Sequence, residues 1–154
     1  DYIMHISQIL IGLIFFSSVS YAQTQDAWSL ANGIYSQMTT NLNNCEPQHM
    51  FKFDHPNAIE FDDETLTFDQ TTPAERSALI DQMNTLCANG KMVFSFEILN
   101  AEFLSEKVLV TNTKAIANIS FEEETITMSG FSTEVYQEVG GNWLMKYGHS
   151  TIIE

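Results

Sequence analysis

Three positions in this sequence carry side chains suited to moving a proton, each in a setting that sharpens the chemistry. His149 lies in the run Trp143 to Thr151, whose alternation sets Trp143, Met145, Tyr147, His149 and Thr151 on one face of a strand. Imidazole titrates close to neutrality, so a histidine among large apolar side chains suits general acid–base work or the orientation of a polar ligand group. Tyr35 recurs on an apolar helical stripe, where its ring can join a core while its hydroxyl donates to charge developing on an oxygen. Asp54, followed by His55, is a carboxylate that burial would move toward neutrality. A serine nucleophile is disfavoured, because Ser150 is adjacent to His149 and points to the opposite face of the strand. Gly140-Gly141 reads as a hairpin turn rather than a phosphate loop. The acidic runs Asp62-Asp63-Glu64 and Glu122-Glu123-Glu124 lack EF-hand ligand spacing, and no Cys/His cluster has zinc spacing. Neither a metal nor a cofactor is expected.

The elements that must position these groups follow from periodicity. Between Gln25 and Asn43, Trp28, Ala31, Tyr35, Met38 and Leu42 recur at three- and four-residue steps, which predicts an amphipathic helix capped by Thr24 or Asp26. Ala58–Phe61 and Thr65–Phe68 predict two short strands joined at Asp62-Asp63-Glu64. Thr72-Pro73-Ala74-Glu75 is a capping box with proline at the first helical position, and Leu79, Ile80, Met83, Leu86 and Cys87 mark the buried side of that second helix. Met92–Leu104, Lys107–Phe121, Thr125–Val139 and the run after Gly140-Gly141-Asn142 predict a meander of four long antiparallel strands, Gly and Asn supplying the positive-φ turn positions. Long strands curve, and the two helices are the cover for one face; the fold class is α+β. Leu109, Ile119 or Ile126 are expected on the meander's outer face, where an apolar surface would signal a homodimer. The sequon Asn118-Ile119-Ser120 falls within a strand and is discounted.

The 154 residues are economical as a single folded domain over 23–154. Residues 1–22 read as a signal peptide: the apolar run Ile9–Phe16 is too short to span a bilayer, and Ser20-Tyr21-Ala22 puts small residues where a signal peptidase cuts. Cleavage after Ala22 would make the protein secreted or periplasmic, with no stable membrane insertion. Twenty acidic against six basic residues, net −14, exclude a basic footprint for nucleic acid or anionic membrane. Cys45 and Cys87 are either one disulfide of an exported protein or two buried thiols.

The order of elements, together with Gly141-Asn142-Trp143 leading to His149-Ser150-Thr151, resembles the SnoaL-like branch of the nuclear transport factor 2-like superfamily, with Thr where Ser is usual. The resemblance spans about residues 25–153 and is motif-like only over the last strand. It implies a cystatin-like cone, in which a curved sheet wraps the helices and leaves a cavity at its open end. It also implies pocket walls from the first helix, the region of Asp54 and the last strands; Trp28, Trp143, Met145 and Tyr147 are the expected lining. Isomerases of the superfamily pair a carboxylate base with a Tyr and a protonated Asp, the tuning pattern that ketosteroid isomerase exemplifies. Tyr35 and Asp54 match two of those parts; Glu97 and Glu134 are approximate counterparts of the third. Two functions are then open for His149, Tyr35 and Asp54: binding of a small apolar ligand without chemistry, or lyase/isomerase proton transfer on a small carbonyl compound. An imidazole that is only a core element is the third reading.

Overall fold

A computed structural model describes residues 26–62, 67–70, 72–121 and 124–153. The expected signal segment, the Thr24 cap and the tips of both acidic turns lie outside the described residues. The elements, in chain order, are α1 (Ala27–Asn43), a 3-10 helix (Pro47–Phe53), β1 (Asp54–Asp62), β2 (Thr67–Asp69), α2 (Pro73–Asn89), β3 (Gly90–Ser105), β4 (Val108–Phe121), β5 (Glu124–Val139) and β6 (Asn142–Ile153). They form one six-stranded sheet in the order β2-β1-β6-β5-β4-β3. The four long strands are the expected antiparallel meander. The short pair joins it through β1, which runs parallel to β6. This is the expected α+β architecture with a curved, open sheet.

Local chemistry accounts for the boundaries. Asp26 caps α1 by accepting from the Ser29 amide at 2.8 Å. At α2 the Thr72 side chain accepts from the Glu75 amide, and the Glu75 carboxylate accepts from the Thr72 amide, with Pro73 opening the helix. The last hairpin turns on Gly140 and Gly141, at φ 60° and 86°. That left-handed backbone favours glycine; Asn142, expected to share the turn, instead pairs with Val139 as the first residue of β6.

Three strand alternations, those of β4, β5 and β6, place the core on the concave face. Leu109 on β4, Tyr136 on β5 and Met145 on β6 sit side by side under Leu30 and Ile34 of α1. Tyr35 and Ala31 of the same helix pack on Ala101 of β3. Complete burial of Leu109 contributes about 2 kcal/mol. Three expectations fail here. The buried stripe of α1 runs through Leu30, Ala31, Ile34, Tyr35 and Leu42, so Trp28 is turned off it and lies 45% exposed. No residue of α2 is fully buried: the helix lies at the rim rather than across the sheet. Leu109, Ile119 and Ile126 are not on the outer face. Leu109 is core, and Ile119 and Ile126 stand opposite each other on the same concave face, because β4 and β5 pair without a register shift.

Cys45, just after α1, and Cys87, in the last turn of α2, form a disulfide with a Cα–Cα separation of 5.9 Å. It is the covalent tie between the two helices and closes the alternative of two thiols.

Candidate functional site

One register shift decides which side chains of β6 reach the interior. Met145 pairs with Tyr136, but Tyr147 pairs with Val135, leaving Lys146 as an extra residue. A bulge of one residue exchanges the two faces of a strand for everything beyond it. Trp143 and Met145 therefore face the core as expected, whereas Tyr147, His149 and Thr151 emerge on the convex face. His149 stands opposite Thr133, is exposed, and meets the Phe61 ring edge-on at 5.1 Å. The expectation that His149 and Tyr147 line the hollow is thus corrected.

What replaces them is a carboxyl cluster built on two neighbouring rows of the sheet. Asp54, Met145, Tyr136 and Leu109 form one row across β1, β6, β5 and β4; Glu60, Gly148, Glu134 and Thr111 form the next. Gly148, between the two glutamates, puts no side chain into its row. Met38 of α1 and Phe51 and Phe53 of the 3-10 helix complete a cavity of about 130 Å³ around Asp54, Glu60, Glu134, Tyr136 and Met145. Trp143 lines a different hollow of about 220 Å³ beside Gly141 and Lys52. A third, of about 330 Å³, opens between Tyr35, Thr40 and Phe96. None of these three contains His149 or Trp28.

The hydrogen bonds at the cavity run in one direction. Tyr35 donates its only hydroxyl proton to Glu134 Oε2 at 2.9 Å, and Tyr136 donates to the same oxygen. Tyr35 also lies 2.6 Å from Thr111 Oγ1, so with its own proton committed it accepts from the threonine. Burial pushes the Glu134 carboxyl up; the two tyrosine hydrogen bonds oppose that, and Glu60 reinforces it. Burial and the Glu134 charge raise both phenols, which stay neutral donors. Across the cavity Asp54, its side chain only 9% exposed, is pushed up to about 7 by burial. Arg76 of α2, with Nη2 3.5 Å from Asp54 Oδ2, opposes that rise, while Glu60 and Glu134 add to it. Glu60 presents part of its surface to solvent and is nonetheless raised by burial, with Arg76 opposing. A carboxyl poised near neutral pH inside a cavity is equipped to take up and return a proton. His55 is engaged locally, its Nδ1 accepting from the Asn57 amide at 3.0 Å.

Of the residues singled out from the sequence, Asp54 and Met145 line the carboxyl cavity, Tyr35 lines the hollow beside Phe96 and reaches the cavity through its hydrogen bond to Glu134, Trp143 lines the hollow beside Lys52, and His149, Tyr147 and Trp28 are elsewhere. The sequence offers Glu134 only as an approximate counterpart, and its local patterns do not point to Glu60, Tyr136, Thr111 or Arg76. The available signal was parity: Glu134 and Tyr136 share a face of β5, as Asp54, Ala58 and Glu60 share one of β1. Among the described residues no three His, Cys, Asp or Glu are grouped to hold a metal ion, and no helix is long and apolar enough to cross a membrane.

No family model and no curated protein matches this chain by sequence. Solved structures match by shape. A hexachlorocyclohexane dehydrochlorinase from Novosphingobium barchaimii LL02 is 13% identical, with a TM-score of 0.58 over 79% of this chain and 82% of that one. A domain of unknown function with a cystatin-like fold from Nostoc punctiforme is 14% identical, with a TM-score of 0.63 over 81% and 76%. The CamKII hub homology domain of Chlamydamonas reinhardtii is 9% identical, with a TM-score of 0.65 over 83% and 98%. With helices against one curved, open sheet and a carboxyl-lined hollow on its concave side, this chain has the cystatin-like α+β cone fold.

Proposed function

We propose that the protein is an exported small-molecule domain whose concave cavity performs lyase- or isomerase-type proton transfer, with Asp54 as the base. The observation that carries this reading is the convergence of Asp54, Glu60 and Glu134 on one cavity. Three carboxyls gathered around one guanidinium, that of Arg76, cost stability, which a merely structural core avoids. The dehydrochlorinase of like fold is named for an elimination, the class of reaction a poised carboxylate begins. At about 130 Å³ the cavity lies below the ~300–1,000 Å³ usual for drug-sized ligands, so the ligand is small. Binding without turnover is the alternative, and it assigns the same groups to orientation only. Export is supported by the Cys45–Cys87 disulfide, since such bonds persist in oxidising compartments. A homodimer through the convex face is supported by half-exposed Phe131, Val139 and Tyr147 there; a hub domain is among the proteins of like fold.

Native mass spectrometry of protein purified from its own host tests both parts. A small bound molecule lost on Asp54→Asn or Glu134→Gln substitution supports the reading. A ligand unaffected by either change places the binding elsewhere and overturns it.

A further inference from the structure

Among the described residues β3 ends the sheet on one side, with no strand beyond it. It pairs antiparallel with β4, so every second residue turns its N–H and C=O away from β4. Asn43, the last residue of α1, fixes which residues these are. Its side-chain amide donates to the Phe94 carbonyl at 3.0 Å and accepts from the Phe94 N–H at 2.6 Å. Two-residue steps from Phe94 put the N–H and C=O of Phe96 and Ile98 on the same open edge. The extra residue Leu99, between Ile98 and Asn100, then ends the run. Unpaired edge groups are a template for another chain. One amide is already docked on this edge, through the donor and acceptor pair that a neighbouring peptide group would use.

The hollow of about 330 Å³ lies along this part of the edge. Phe96 and Ile98 line one side of it, and Asn32, Ser36 and Thr39, at helical spacing on α1, line the other. The side chains of Asn32, Ser36 and Thr39 make no hydrogen bond among the described residues, whereas Thr40 gives its hydroxyl proton to the Ser36 carbonyl. A wall of neutral donors and acceptors beside an open strand edge suits an extended peptide, whose backbone pairs with the edge while alternate side chains meet the wall. We infer that this groove binds an extended, basic peptide segment of a partner as a strand added to β3. Charge selects the basic class: the chain carries 20 acidic residues against 6 basic ones, and Glu97 and Glu102 stand exposed on β3 itself. A second copy of this chain fits the edge less well. Because α1 reaches its own edge at Asn43, two such edges brought together would set two α1 helices in the same space, whereas a single extended segment passes beside one.

The probe is the capped peptide acetyl-Lys-Thr-Val-Thr-Val-Lys-amide, compared with a twin whose interior backbone nitrogens are methylated. The twin keeps every side chain and both charges but has lost the N–H groups that pair with a strand. Binding is followed through the backbone amide resonances of Phe96 and Ile98 in the unsubstituted protein. The plain peptide should move both resonances downfield and slow their exchange with solvent, more weakly as salt is raised. The twin should bind at least about tenfold more weakly, the loss of one or more well-made hydrogen bonds. Ser36→Tyr, at an exposed helical position outside the carboxyl cavity, fills the hollow and should weaken the plain peptide by a similar factor. Equal binding of the twin, binding untouched by Ser36→Tyr, or amides of Phe96 and Ile98 that stay in place up to about 1 mM peptide would overturn the inference. If both amides become protected as the protein alone is concentrated, a second copy covers the edge and the partner peptide is likewise overturned.

Discussion

Asp54→Asn should change how stability depends on pH, and the size of the change follows from the cavity. Burial holds the Asp54 carboxyl up to about 7 against an ordinary 3.8. A carboxyl raised by folding is more willing to keep its proton in the folded chain than in the unfolded one. Its stabilising contribution is therefore complete below the ordinary value and is lost as pH climbs through the folded one. At about 1.4 kcal/mol per pH unit, over roughly three units, Asp54 accounts for at most about 4 kcal/mol of lost stability between about pH 4 and pH 8. Asparagine cannot titrate and removes that slope. It also strands Arg76 without its partner, a cost that offsets the variant at all pH values but leaves its slope alone. The assay is urea unfolding at several pH values, read as the difference between the two proteins. The variant should gain on the unsubstituted protein as pH rises, most steeply between about pH 5 and pH 6, and level off above about pH 7. Unfolding free energies that run parallel within about 0.5 kcal/mol over that range would show that Asp54 is not held in a desolvated site.

Three further outcomes are expected. Tyr35→Phe deletes a buried donor to Glu134 and the acceptor of Thr111, and should cost about 1.5–3 kcal/mol in chemical unfolding; a loss under 0.5 would deny the network. Cys87→Ser opens a loop of 42 residues and should cost about 4 kcal/mol on a chain-entropy estimate, read as a lowered urea midpoint, with the freed Cys45 becoming reactive toward thiol reagents. His149→Gln, on the convex face, should leave the methyl-resonance responses of Met38 and Met145 to cyclopentanone unaltered, and a lost response would return His149 to the site.

Much of the fold could be read along the chain, because its punctuation is local. The capping box at Thr72 and Glu75, the paired glycines at 140 and 141, and the alternation of the long strands each act through neighbours in sequence. The site could not be read so far, and the reason is a single residue. Alternation assigns His149 and Met145 to one face only if β6 pairs without interruption, but the extra Lys146 is decided by pairing with β5. The parallel joining of β1 to β6, which lines up Asp54 with Met145 and Glu60 with Gly148, is likewise a long-range choice. Arg76 illustrates the same limit: it reads as an ordinary helical cation until α2 is laid at the rim beside Phe51 and Asp54. Helical periodicity placed Tyr35 correctly because a face of α1 is set by the helix itself, yet its partners Thr111 and Glu134 come from strands far away in the chain.

The claim that Asp54 moves protons on a small molecule in the concave cavity is tested most directly by hydrogen exchange into the ligand. Cyclopentanone dissolved in heavy water with the protein should gain deuterium next to its carbonyl faster than in buffer, increasingly so as pH rises through 7. That acceleration should vanish in Asp54→Asn and persist in His149→Gln. Exchange no faster than in buffer, or an acceleration untouched by Asp54→Asn, would contradict the account.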